Sequence, residues 1–277
     1  MITPDITQLD WLCPRSMNAE EFIRLRPALE RVLSAGPARE VYSVNTRSIY
    51  QLDDSELGSI AIKELRFETA SRRWRAATVR RHRVLCEFNA AGCFAARGGL
   101  TPRLYGAALE HRGAGLYRIF IVLEWLNEAL TLSAAVRDWA VPVRDRNLAH
   151  LARTLVGAAS RGLVHGRHSS ENILVTDPLE FQIIDFSHAQ IFERFHPAGF
   201  SRDVARIGAR LVLEEACTKK VVMQFFDEVA RAAPAGSVDD RKIAIEFDKV
   251  LMNSKRRQRR ERNWHTFWRG FPSRLRD

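Results

Sequence analysis

Acidic residues are in deficit in this 277-residue chain: 33 Asp and Glu stand against 43 Lys and Arg, giving a formal charge of +10. That balance disfavours a basic partner and points to an anionic one, whether a phosphate-rich substrate, nucleic acid or an acidic membrane. Cysteine is sparse as well. Cys13, Cys86, Cys93 and Cys217 form no CxxC pair and no metal-ligand spacing with the histidines, which argues against a zinc module or a disulfide framework. A reduced, cytoplasmic protein is expected. Long apolar runs are missing too: "IFIVLEWL" (119–126) is far too short to span a bilayer and carries Glu124. The opening "MITPDITQLDWLCPRSM" has proline and acidic residues where a signal peptide needs basic and then apolar ones, so none is expected. There is no internal repeat.

What is present alternates between two periodicities. "EEFIRLRPALERVLS" (20–34) places Phe22, Leu25, Leu29 and Leu33 on one helical face. "VYSV", "SIYQL" and "SIAIKEL" are short β-branched or aromatic runs parted by turn-formers such as "DDSELG", the pattern of a strand meander. Residues 69–97 read as an Arg-rich helix ending at Gly98-Gly99, and "LTPRLYGAAL" and "LYRIFIVLEWL" as strands. Beyond Leu130 the chain turns helical, with Leu148, Leu151 and Leu155 along one stripe. The runs "NILVT" and "FQIIDF" interrupt it, and helices resume over about 201–252. A β-rich first part and an α-rich second part predict an α+β protein of two unlike lobes. The expected divisions are 1–126, 127–252 and a basic aromatic tail, 253–277.

Six polar residues stand out by their order. Lys63 ends a strand in "IAIKEL", Glu87 lies on the Arg-rich helix, and Glu124 closes the last strand before the lobe junction. His165 and Asn172 follow in "VHGRHSSENILV", and Asp185 in "QIIDFS". Taken singly, each is an ordinary solvated lysine, helix carboxylate or turn-former. Taken in this order, with these intervening elements, they form a series.

At these residues, over about 35–215, the chain resembles the protein-kinase-like fold and, most closely, the bacterial lipopolysaccharide core heptose kinase family. "AREVYSV" stands where eukaryotic kinases have a glycine-rich loop, and "EFNAAGCFAARGGLTPRLYG" is similar to that family's helix-to-strand passage. Only seventeen residues separate Asp185 from Asp203, too few for a long phosphorylatable segment, which favours a small-molecule or glycan acceptor. The resemblance implies ATP and Mg²⁺ as cofactors. Lys63 would hold phosphates and Glu87 would fix Lys63. Asn172 and Asp185 would ligate the metal, and backbone from Glu124 to Leu126 would meet adenine. Arg39 would touch phosphate, and His165 and Asp203 would brace the loop. The physical basis is charge management, since positioning and electrostatics do most of the work in phosphoryl transfer.

One position departs from the pattern. Where the resembled families carry the aspartate that accepts the hydroxyl proton, this chain has Arg167, which cannot act as a base. Base assistance is typically worth ~10²–10⁴-fold, so its loss would slow an intact site without abolishing it. His168 offers a substitute base if its ring turns inward, and is otherwise an exposed loop histidine. Two functions stay open: a phosphotransferase on a sugar hydroxyl of lipopolysaccharide core or a similar phosphorylated glycan, or a pseudokinase serving as a scaffold or regulator in envelope biosynthesis.

The tail raises a separate expectation. Lys255, Arg256, Arg257, Arg259, Arg260 and Arg262 precede Trp264, Phe267, Trp268 and Phe271, spaced i, i+3, i+4, i+7. Such a segment suits an anionic membrane surface through 255–271, making the protein peripheral on the inner membrane. The alternative is aromatics capping the second lobe. Nucleic acid is not expected, for no binding motif accompanies the charge. The Arg72–Arg83 cluster fits acceptor phosphates or a solvated helix face.

Overall fold

The computed structural model describes residues 9–34, 39–44, 47–67, 69, 71, 73, 81–112, 115–177 and 179–269. Its first lobe is one six-stranded antiparallel sheet. The strands are β1 (Leu9–Leu12), β2 (Arg39–Val44), β3 (Arg47–Asp54), β4 (Gly58–Arg66), β5 (Leu104–Arg112) and β6 (Gly115–Glu124), in the order β1-β5-β6-β4-β3-β2. Successive side chains alternate between the two faces, so one strand serves two cores. Along β4, Ile60 and Ile62 face helix α1 (Ala19–Ser34), while Leu65 joins the core beneath helix α2 (Arg81–Ala96). Lys63 falls on the α2 side, level with Ile49 of β3 and Ile121 of β6.

The expected periodicity of α1 is realised. Asn18 caps it, its Oδ1 accepting from the Glu21 amide at 2.7 Å, and Phe22, Leu25, Leu29 and Leu33 are all buried. They pack on Tyr50, Ile60, Ile62, Phe120 and Val122, giving the sheet a second covered face. Strand β1, which the sequence reading leaves unassigned, extends that sheet by pairing Leu9 with Glu110. On the same face Glu64 is fully buried and held by Arg66, Tyr50 and Arg118. Helix α2 ends at Ala96, and the φ of +73° at Gly98 lets the chain turn back, with the Gly99 amide on the Phe94 carbonyl.

The second lobe is helical. It contains α3 (Leu132–Asp138), α4 (Val141–Ser160), α5 (Pro197–Leu213), α6 (Lys219–Ala232) and α7 (Asp240–Arg269) around one apolar core. Leu148, Leu151 and Leu155 of α4 are buried in it, as their spacing predicts. Short strands lie where this lobe meets the first. β7 (Leu130–Thr131), β9 (Ile173–Thr176) and β10 (Glu180–Ile183) form one small sheet, and β8 (Leu163–Val164) pairs with β11 (Gln190–Ile191). The expected division at 252/253 falls inside α7, which runs unbroken to Arg269. Ala38 of "AREVYSV", most of the Arg72–Arg83 cluster, and Phe271 lie outside the described residues. None of the four cysteines forms a disulfide among the described residues, and no described helix is long and apolar enough to cross a membrane.

Candidate active site

Between the lobes is a cavity of about 260 Å³. The sheet supplies its roof through Ile49 and Ala61, and the second lobe its floor through Leu174 and Ile184. Lys63, Glu87 and Asp185 line its inner end. Lys63 Nζ donates to Glu87 Oε1 in a close ion pair, and stands 3.7 Å from Asp185 Oδ1. The Lys63 and Glu87 side chains are only 16% and 14% exposed, so their attraction is weakly screened compared with a surface pair. One cation therefore stands between two carboxylates contributed by different elements.

The outer wall is the passage from β6 into the second lobe. The Glu124 amide donates to the Arg103 carbonyl at 2.8 Å, and its carboxylate accepts from the Arg103 amide at 3.1 Å. The Glu124 side chain thus fixes the passage, whose residues Glu124, Trp125 and Leu126 all line the cavity. The Trp125 amide donates to Ser59 at 2.9 Å, while the Leu126 amide has no hydrogen-bond partner among the described residues. A free backbone donor beside an apolar slot matches what a heteroaromatic base requires.

The segment from Leu163 to Phe186 is held through its backbone groups, in part by side chains of α5. Asp203 Oδ2, from α5, accepts from the amides of His165 (2.7 Å) and Gly166 (3.1 Å), and Arg206 donates to the Gly166 carbonyl. His165 Nε2 donates to the Ile184 carbonyl at 2.9 Å, an assignment set by the carbonyl's lack of a proton. The Ile184 amide in turn donates to the Asn172 carbonyl at 3.0 Å, which holds Asn172 beside the Ile184-Asp185 strand end. Asn172 Nδ2 donates to the Arg167 carbonyl at 3.2 Å, and its Oδ1 accepts no hydrogen bond among the described residues.

Asp185 adopts left-handed backbone angles (φ 58°, ψ 64°), a conformation uncommon outside glycine and concentrated at functional sites. Burial alone would raise its pKa. The Lys63 charge and hydrogen bonds from Ser187 outweigh burial and hold the carboxyl below its ordinary value. Its Oδ1 is buried and accepts no hydrogen bond among the described residues. An ionised carboxylate, joined by an amide oxygen, is the hard donor set that suits Mg²⁺.

The remaining expectations divide. Arg39 opens β2 and is exposed. His168 corrects the exposed-loop reading. Its ring does turn inward and is buried, but it stacks on His165 at 4.4 Å between centroids and 7° between planes, and does not line the cavity. Burial, reinforced by His165, pushes its pKa well below 6.5. Arg167 is exposed, with Nη1 3.3 Å from His188 Nε2. The sequence reading passes over His188, and its one available signal is its place three residues after Asp185.

The chain is similar in fold to a solved structure of WaaP in complex with acyl carrier protein. The TM-score is 0.56 and the identity 16%, over 91% of this chain and 98% of that one. No curated protein sequence matches it. The model of the lipopolysaccharide kinase (Kdo/WaaP) family matches residues 38–226, from the start of the strand meander into α6, and the chain belongs to that family of kinases.

Proposed function

We propose that this protein transfers the γ-phosphoryl group of ATP to a sugar hydroxyl of the lipopolysaccharide core, with Mg²⁺ held by Asn172 and Asp185. The observation that carries the reading is the placement of Lys63 between Glu87 and Asp185 in the cavity. Lys63 neutralises phosphate oxygens while Glu87 keeps it from swinging away, and Glu124 to Leu126 offer backbone to adenine. Bound Mg²⁺ supplies charge neutralisation for the transferring phosphoryl group. Arg167, a fixed cation, favours an anionic group, either the γ-phosphate or a phosphorylated sugar. Calorimetric titration with Mg·ATP tests the nucleotide reading, and absence of heat and of a thermal shift removes it. Transfer to core oligosaccharide is then compared among the wild type, Asp185→Ala and Arg167→Asp. Activity gained in Arg167→Asp from an inactive wild type would mark a pseudokinase scaffold instead.

The helical tail supports a place at the membrane surface. Helix α7 continues to Arg269, past the buried Leu251, so the cationic block and Trp264, Phe267 and Trp268 lie on continuous helix. Apolar insertion and attraction to anionic lipid would hold such a segment at the inner leaflet, near a lipid-linked acceptor. Salt-sensitive pelleting with anionic liposomes, lost on truncation after Asn253, is the expected result. Pelleting that survives truncation removes the tail from the account.

A further inference from the structure

We infer that His188 accepts the proton of the incoming hydroxyl, in the role that Arg167 cannot fill. The inference rests on the phosphotransferase reading above.

Arg167 Nη1 lies 3.3 Å from His188 Nε2. Arginine carries five donors and no acceptor, so the contact has one sense: the guanidinium donates and Nε2 accepts. Nε2 therefore accepts, which assigns the ring proton to Nδ1, and its lone pair is directed at the residue standing in the base position. The two segments are locked together by backbone. Gly166 has φ +74°, and a Cβ there would lie 2.6 Å from the His188 carbonyl oxygen. Asp185 caps the short 3₁₀ turn Phe186–His188, so His188 stands one turn beyond the metal-ligand candidate. The turn is anchored from below, where Phe186 is buried against Phe94 at 5.7 Å. His188 itself is exposed, as a group meeting an acceptor must be, whereas His165 and His168 are buried.

With ATP bound, a γ-phosphate oxygen is a stronger partner for Arg167 than a neutral imidazole nitrogen, because both groups are charged. Transfer of the guanidinium to phosphate withdraws that donor from Nε2. The acceptor O–H then gives its proton to Nε2, and its oxygen bonds to the γ-phosphorus. The bond from phosphorus to the bridging oxygen breaks, and ADP departs with that electron pair. The imidazolium returns its proton to solvent. Arg167 and His188 thus divide between them what one aspartate and a phosphate clamp would do.

The test uses the full chain with Mg·ATP, reading transfer to lipopolysaccharide core oligosaccharide and, with water as acceptor, ADP release. His188→Ala should lower both by ~10²–10⁴-fold, with calorimetric Mg·ATP affinity changed less than twofold. Added imidazole should restore turnover in proportion to its concentration, which no loss of packing would allow. His188→Gln keeps an acceptor for Arg167 and should lose turnover equally. The double variant Arg167→Asp/His188→Ala should regain turnover without imidazole. Full activity in His188→Gln, or a His188→Ala defect that imidazole leaves untouched, overturns the assignment and leaves the kinase reading standing. A wild type that binds Mg·ATP but turns over neither acceptor overturns both.

Discussion

The carboxylate of Asp203 accepts the backbone amides of His165 and Gly166 through a single oxygen, at 2.7 and 3.1 Å. A buried side chain on α5 thereby sets the path of the loop that carries Arg167 and Asn172. Asp203→Ala would leave the buried His165 N–H unpaired, at about 1–3 kcal/mol, and the half-buried Gly166 N–H with it. Asp203→Asn keeps an oxygen for both and loses only the charge. Phosphate transfer should therefore fall far more in the alanine variant than in the asparagine one. Amide hydrogen exchange at His165 and Gly166 should quicken in the same order. Equal exchange in the two variants would show that the oxygen does not brace the loop.

Lys63 answers to two carboxylates, which makes its loss different from the loss of either partner. Lys63→Met leaves Glu87 and Asp185 in the inner cleft without their shared cation. Glu87→Gln leaves Lys63 still beside Asp185. Removing one preorganised electrostatic contact typically costs about 10²–10³ in kcat. That range is expected for Lys63→Met together with weakened Mg·ATP binding, with a smaller loss in kcat for Glu87→Gln. Single-turnover kinetics and calorimetry on the two variants check the ranking.

The sequence makes the site legible because its residues sit in or beside elements that periodicity can find. Lys63 lies in an alternating strand, which runs on to Arg66 where the sequence reading ends it at the lysine, Glu87 lies on a helix followed by Gly98-Gly99, and Asn172 and Asp185 flank two short apolar runs. What escapes is what long-range packing decides. "LDWL" is too short to show alternation, and it becomes β1 only because β5, remote in sequence, offers an edge. His168 has polar neighbours that suggest exposure, yet stacking on His165 buries it. His188 follows no pattern: its partner, Arg167, is brought to it by the fold.

Burial of His168 also makes stability depend on pH. Its folded pKa is depressed well below 6.5, so the unfolded chain takes up a proton that the folded one refuses. The stability it contributes is present above 6.5 and is lost as pH falls toward the folded value, at about 1.4 kcal/mol per pH unit. His165, lowered by burial as well, acts in the same direction. Urea unfolding at pH 7.5, 6 and 5 should show this decline. His168→Leu should flatten it by nearly one proton's worth, whereas an unchanged slope would place the acid sensitivity elsewhere.

Helix α1 lies outside the span that the family model matches, yet its apolar face completes the first lobe's core. Leu29 and Leu33 are fully buried against the face of the sheet opposite Lys63. Leu29→Ala should destabilise the protein by about 2–5 kcal/mol, the range for a buried leucine replaced by alanine. Ile23, 69% exposed on the same helix, should tolerate alanine within about 0.5 kcal/mol. A truncated chain beginning at residue 38 would uncover Tyr50, Ile60, Ile62, Phe120 and Val122 together, and is expected to aggregate. Urea midpoints for the two substitutions, and light scattering for the truncation, measure these outcomes. A soluble, cooperatively folding fragment 38–277 would show that α1 is an appendage and not part of the lobe.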